Sequence, residues 1–329
     1  MAAPLSQPHS VFARPAVVVS LATLCCLLWG SAYPAIKGGY ALLQIAPDDL
    51  GGKMLFAGWR FLLAGLVLLA LAWATGRRLG VRSGRDVGAL FALGATQTAL
   101  QYVFFYIGLS HTTGVKSSIL NATGTFFSVL LAHFIYRHER ITHRKALGCL
   151  VGFAGVLVVN VSPQLARFDV TLLGEGFVVI AAFVLAAASI YGKRLSQRFD
   201  AVAMTGAQLA IGGAILLLVG WAAGGSLAHW SWDAAALMAY MVLLSAVAFS
   251  LWTILLKHNP VSLVAVFNFL VPVFGAVLSA IFLGESVLEW KNLLALVLVC
   301  AGIAMVTRAV GAAARPATVT APSRAADHP

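Results

Sequence analysis

The chain is a succession of apolar runs near 20 residues long, separated by short polar breaks. A helix rises about 1.5 Å per residue, so about 20 residues cross the ~30 Å hydrocarbon layer of a bilayer. Ten such runs can be drawn: 16–36, 54–75, 86–108, 115–135, 145–162, 172–192, 201–223, 233–256, 260–282 and 288–307. In hydrocarbon every backbone N–H and C=O must be bonded within the protein, and a helix does this within a single run. The composition agrees. Charged residues make up 10% of the chain and hydrophobic residues 60%, whereas soluble domains carry roughly 25% charged residues. The expected fold is all-α integral membrane, with ten transmembrane helices. The first run is too long for the apolar core of a signal peptide, and nine more follow, so it is expected to stay attached. Residues 1–15 read as a cytoplasmic N-terminal segment. Residues 308–329, rich in Ala, Pro and Arg, read as a disordered cytoplasmic tail.

The formal net charge of +11 points to topology, not to nucleic acid, because the charges alternate between loops. With the N-terminus inside, sixteen Lys and Arg fall on the cytoplasmic side, in clusters such as Arg77, Arg78, Arg82 and Arg85, or Arg137, Arg140, Arg144 and Lys145. Six fall outside or in the outer half: Lys37, Lys53, Arg60, Lys116, Arg167 and Lys291. Cytoplasmic loops hold the excess of Lys and Arg. Both termini are therefore expected in the cytoplasm of a multi-pass plasma-membrane protein. The four cysteines, Cys25, Cys26, Cys149 and Cys300, all fall inside apolar runs and read as small buried hydrophobes without metal-ligand spacing.

The pattern occurs twice. Tyr106 to Glu139 and Trp252 to Glu285 are both 33 positions apart, Gly114 falls opposite Pro260, and Asn121 and Asn268 fall within one position of each other. Each half closes with a further apolar run, carrying Gly155 and Gly302. The expected units are 16–162 and 172–307, five helices each. Five is odd, so the second unit enters the membrane inverted, which is a build common among secondary transporters.

These residues resemble the drug/metabolite transporter superfamily, and within it the EamA-type ten-helix transporters, over roughly residues 20–307. The run "LLWGSAYPAIKGGY" resembles the opening pattern at Trp29, Gly30, Ser31 and Lys37. "FAGWRFLLAG" resembles the second helix, with Arg60, Phe61, Ala64 and Gly65. "VPVFGAVLSAIFLGESVLEW" resembles the ninth-helix signature at Pro272, Gly284 and Glu285. In the first half Phe126 and His138 replace the Pro and Gly, while Glu139 remains. The resemblance implies export of amino acids and related metabolites across the cytoplasmic membrane, commonly with proton coupling. It implies a small-molecule substrate, the bilayer and protons as partners, and no nucleic acid.

No phosphate-binding Gly-x-x-x-x-Gly-Lys-Ser/Thr loop and no His-Glu-x-x-His helix is present, so neither a built-in ATPase nor a zinc enzyme is expected. No cofactor or metal is expected. Polar groups inside apolar runs are the better guide, because hydrocarbon penalises them unless they face a cavity or another helix. Ser118, Asn121, Thr125 and Ser128 share one face of the fourth run. Gln97 and Gln101 share a face of the third, beside Tyr102 and Tyr106. Asn268, Pro272, Gly275 and Ser279 form a face of the ninth, and Ser245, Phe249 and Trp252 one of the eighth. The expected substrate site draws on Ser31, Lys37, Arg60, Gln97, Gln101, Tyr102, Tyr106, Asn121, Thr125, Trp252 and Asn268. Such a lining suits a small zwitterionic or amphipathic solute. The plain alternative is helix packing by the same Ser, Thr, Asn and Gly residues. Lys37 can instead snorkel to the interface. Arg60 can act as a structural cap or ion pair. His133 reads as a packing histidine more readily than as a proton relay, Glu139 and Glu285 as loop anchors, and Gly148 with Gly152 as a close helix contact. The expected function is a secondary transporter. The alternative is a membrane-embedded lipid-handling protein or enzyme without transport activity, and a receptor or scaffold is the third reading.

Overall fold

The structure is a computed structural model and describes residues 10–112, 114–137, 139–161, 171–227, 229–283 and 290–313. Its long helices are α1 (Pro15–Leu42), α2 (Leu50–Ala74), α3 (Gly84–His111), α4 (Gly114–Ala122 and Gly124–Ile135), α5 (His143–Val159), α6 (Leu172–Ser196), α7 (Ala201–Ala222), α8 (Trp232–His258), α9 (Val261–Ala265, Val266–Phe269 and Leu270–Leu283) and α10 (Trp290–Ala313). Among the described residues, nine helices are long and apolar enough to cross a membrane. The fifth expected run forms a helix of 17 residues, about 26 Å long.

Local chemistry explains the helix starts. Asp49, Ser83, Thr142, Asp200 and Ser231 each accept a backbone N–H of the first turn of α2, α3, α5, α7 and α8, the usual cap for the unsatisfied amides there. The outward faces remain apolar. Leu66, Leu71, Phe134 and Leu218 are exposed along helices, and Trp73, Trp221, Trp232 and Trp290 are exposed at helix ends. Water would penalise such a surface, whereas lipid and its interface suit it.

The helices pair in a regular way. The largest contacts are α2 with α7 and α5 with α10, followed by α1 with α9 and α8, and by α6 with α4 and α3. Exchanging α1–α5 for α6–α10 leaves this set of pairs unchanged. The register repeats too. Gly51, Gly58 and Gly65 recur every seventh residue on α2, as do Gly206, Gly213 and Gly220 on α7. They meet antiparallel as Gly51 with Gly220, Gly58 with Gly213, and Gly65 with Gly206. A Cβ on Gly58 would lie 2.8 Å from the backbone nitrogen of Leu217. On the other seam, a Cβ on Gly302 would lie 2.6 Å from the Gly152 nitrogen, and one on Gly155 2.8 Å from the Ala295 oxygen. Close packing is therefore what Gly148 and Gly152 serve.

Three expectations change. α1 runs on to Leu42, so Lys37 lies within the helix, on an exposed position. α10 continues to Ala313, so the first residues of the expected disordered tail are helical. Cys300 is exposed on α10, while Cys25, Cys26 and Cys149 are buried as expected. Gly284, Glu285, His138, Arg167 and residues 314–329 lie outside the described residues.

Candidate functional site

α3 and α4 depart from regular α-helix near their middles, and α9 does so in its first half. α3 contains a π turn at Ala95–Leu100, α4 is interrupted at Thr123, and α9 passes through a 3₁₀ turn at Val266–Phe269. Irregular backbone at membrane depth is tolerated where protein or a cavity satisfies it, and π turns are common at functional sites. These turns carry or adjoin Gln97, Gln101, Asn121, Thr125 and Asn268. One satisfying contact is visible, from the Thr125 hydroxyl to the Ala265 carbonyl at 3.3 Å.

All five residues border one central cavity. Its free space, including the part open to solvent, is about 1370 Å³. Six helices form the wall as three pairs: α1 and α6, α3 and α8, α4 and α9. Arg60 of α2 joins them. Of the expected site residues, Arg60, Gln97, Gln101, Tyr102, Tyr106, Asn121, Thr125, Trp252 and Asn268 border the cavity. Ser31 and Lys37 do not. The Ser31 hydroxyl donates to the Leu28 carbonyl at 2.7 Å and lies 2.6 Å from the Tyr240 hydroxyl, because it sits on the face of α1 turned toward α8.

Sequence reasoning missed Trp29 and Tyr33 on α1, and Leu185 and Ser189 on α6. The signal was present, since Trp29, Ala32, Tyr33 and Ile36 follow the i, i+3, i+4, i+7 pattern of one helix face. A search for polar groups passes over such an aromatic face. Rings form a continuous series: Trp252 meets Trp29 (centroids 5.0 Å), Trp29 meets Phe249 (5.4 Å), Phe249 meets Phe61 (5.9 Å), and Phe61, which stands behind the lining, meets Tyr102 (4.6 Å).

Arg60 is 2% exposed. Its Nε donates to the Ser245 hydroxyl at 2.6 Å, and that hydroxyl donates onward to the Met241 carbonyl at 2.7 Å. The guanidinium lies 4.8 Å from the centroid of the Phe61 ring. Among the described residues, the ion pairs are Arg77–Asp200, Lys116–Glu175, Lys193–Glu139 and Arg198–Asp86, and none involves Arg60. In two residues that line the cavity, one buried polar atom each has no partner among the described residues: Trp29 Nε1 and Asn121 Oδ1.

The floor is Leu256 and Val261. Against Val261 lies Glu139, 1% exposed. Its carboxylate accepts the Val261 N–H (2.8 Å), the Ser262 N–H (2.9 Å) and the Ser262 hydroxyl (3.1 Å), and lies 3.5 Å from Lys193 Nζ. α9 begins after Pro260, whose side chain cannot cap it; Glu139 supplies the missing acceptor from another segment. His133 stands off the cavity, and its Nδ1 accepts the Ile141 N–H at 3.2 Å. That contact fits the packing reading.

A body that is helical throughout its described residues, with apolar outer faces around a largely apolar and aromatic cavity that carries a few polar groups, is the build of a membrane transport protein. The family model described as the EamA-like transporter family matches residues 16–161 and again 172–308. The chain belongs to that family and is a multi-pass membrane transporter. It is 29% identical over 272 residues to an uncharacterized transporter of Archaeoglobus fulgidus, covering 81% of this chain and 89% of that one. It is 28% identical over 284 residues to the uncharacterized transporter YvbV of Bacillus subtilis, covering 85% and 88%. A chloroplastic WAT1-related protein of Arabidopsis thaliana is 28% identical over 269 residues, covering 78% of this chain and 62% of that protein. One solved crystal structure shares the fold, with a TM-score of 0.73 at 19% identity, over 89% of this chain and 98% of that one.

Proposed function

We propose that the chain is a secondary transporter working by alternating access and exporting small amino-acid-like metabolites across the cytoplasmic membrane. It is built from two inverted five-helix repeats, 16–162 and 172–307, ten membrane helices in all, with both termini in the cytoplasm. The observation that carries this reading is the cavity, whose wall takes one helix of each pair α1/α6, α3/α8 and α4/α9 from each repeat. A site lying between two inverted repeats can be exposed to either side by rocking one against the other. The exchange symmetry of the helix pairs and of the glycine register supports the repeats. Export is the direction the resemblance implies. Among the described residues the wall carries no carboxylate or imidazole.

The test is counterflow in proteoliposomes, with labelled amino acids and their carboxylate relatives, with and without a proton gradient. Saturable counterflow of at least one such solute is expected. Lipid scrambling without solute counterflow would select the lipid-handling alternative. Topology has its own test. Reporter fusions after Arg85, Lys145 and Arg198 should report cytoplasm, and fusions near Lys53 and Arg167 the outside. A consistent reversal would sink the orientation.

A further inference from the structure

The three helix pairs contribute to the cavity from both repeats, but its fixed charge does not. Aligned in chain direction, with Gly51, Gly58 and Gly65 matched to Gly206, Gly213 and Gly220, the two helices carry Ile215 at the position equivalent to Arg60. The cavity therefore carries one buried cation, from one repeat, with no balancing carboxylate on its wall among the described residues. Ser245 holds only the Nε edge of the guanidinium. No protein acceptor among the described residues takes its remaining N–H groups, which lie where Arg60 borders the cavity. A guanidinium stays charged in a protein, and its fork of donors fits a carboxylate in two-pronged fashion.

We propose that the cavity is a binding site for organic monoanions, whose carboxylate Arg60 holds, and that it ranks monoanions above zwitterions and zwitterions above cations. This rests on the transporter reading and narrows it to amino-acid derivatives without a free ammonium group. A bound monoanion leaves the site neutral. A zwitterion brings a second cation into a space that is already positive and offers it no carboxylate. The body of the ligand lies along the ring wall from Tyr102 to Trp252.

The experiment is isothermal titration of the purified full chain in detergent near neutral pH, using probes that share one ring and differ in charge. They are 3-phenylpropanoate and N-acetylphenylalanine (monoanions), phenylalanine (zwitterion) and phenethylamine (cation). The anions are expected to bind at least ~10-fold more tightly than phenylalanine, a difference of about 1.4 kcal/mol, and phenethylamine not to bind. Arg60→Gln should erase the ranking, whereas Arg60→Lys should keep it with weaker binding. If Arg60→Gln fails to fold, the wild-type ranking still decides, together with Ser245→Ala, which should weaken the anions a few-fold and leave their order intact. Equal affinities, preference for the amine, no saturable binding of either anion, or a folded Arg60→Gln with unchanged anion affinity would each overturn the proposal. Anion-selective binding in a protein without counterflow would overturn the transporter reading alone. Counterflow of zwitterions without preference for anions would overturn this inference alone.

Discussion

Gly213→Leu is expected to remove most folded protein from the membrane, while Gly88→Leu leaves yield and melting temperature close to wild type. Gly213 is the middle contact of the α2–α7 seam. A Cβ there would lie 2.8 Å from both the Gly58 carbonyl oxygen and the Leu62 Cα, and nearer still to the Leu62 nitrogen. These are backbone atoms of a neighbouring helix and cannot rotate away, so the two helices must separate. Overpacking a core by a few methylenes commonly costs about 1–3 kcal/mol, and a leucine wedged between two backbones should reach or exceed the top of that range. In a membrane, helix association depends on such close packing, since lipid is as apolar as leucine. Gly88 is the control, because a Cβ there meets nothing within 4 Å. The measurement is the monodisperse fraction and melting temperature of a fluorescent fusion in mild detergent. Equal behaviour of the two variants would mean the seam is not what holds the halves together. The seam also bears on the site. Arg60 stands two residues beyond Gly58, so the depth at which α2 packs sets the depth of the cation.

Much of this was legible in the sequence, and the limits have physical causes. Apolar runs and turn residues mark the helices because bilayer thickness sets their length. The polar faces of α3 and α4 mark the cavity because hydrocarbon excludes Gln and Asn elsewhere. The side on which a helix end lies was less legible. Ser31 and Lys37 belong to the same run as Trp29, but α1 turns Trp29 and Tyr33 inward, Ser31 toward Tyr240 and Lys37 outward. The rings, not the hydroxyl or the amine, mark the inner face there. Cys300 sits in an apolar run yet is exposed, since lipid accepts a thiol on the outer face of α10. The seven-residue glycine spacing on α2 and α7 was readable, and it identifies which helices touch. Contacts between distant segments were not readable. Nothing local to Arg60 names Ser245, 185 residues away, and nothing local to Glu139 names the start of α9.

Glu139→Gln is expected to open the floor of the cavity and to cost stability. The carboxylate takes three donors from the first turn of α9 while facing Lys193. A glutamine would keep one oxygen and turn an NH₂ group toward donors, so at least one of those hydrogen bonds is lost. Lys193 would retain the Asn259 carbonyl as a hydrogen-bond acceptor and lose its carboxylate. Breaking a buried pair by removing one partner typically costs about 3–5 kcal/mol. Adding Lys193→Met should restore part of the stability, because no unpaired charge is then left buried, but it should not restore the closure, since α9 still lacks its cap. These two readouts separate a general packing defect from a closure. Leu256→Cys in a Cys300→Ser background places a thiol at the floor, where the other cysteines, Cys25, Cys26 and Cys149, are buried. A membrane-impermeant thiol reagent added from the side of the Arg77 and Arg198 clusters should label that thiol slowly in the parent and several-fold faster with Glu139→Gln. Labelling should stay fast in the double variant although its melting temperature recovers. If labelling instead tracks melting temperature across all three proteins, Glu139 is a stabilising contact and not the element that closes the cavity on that side.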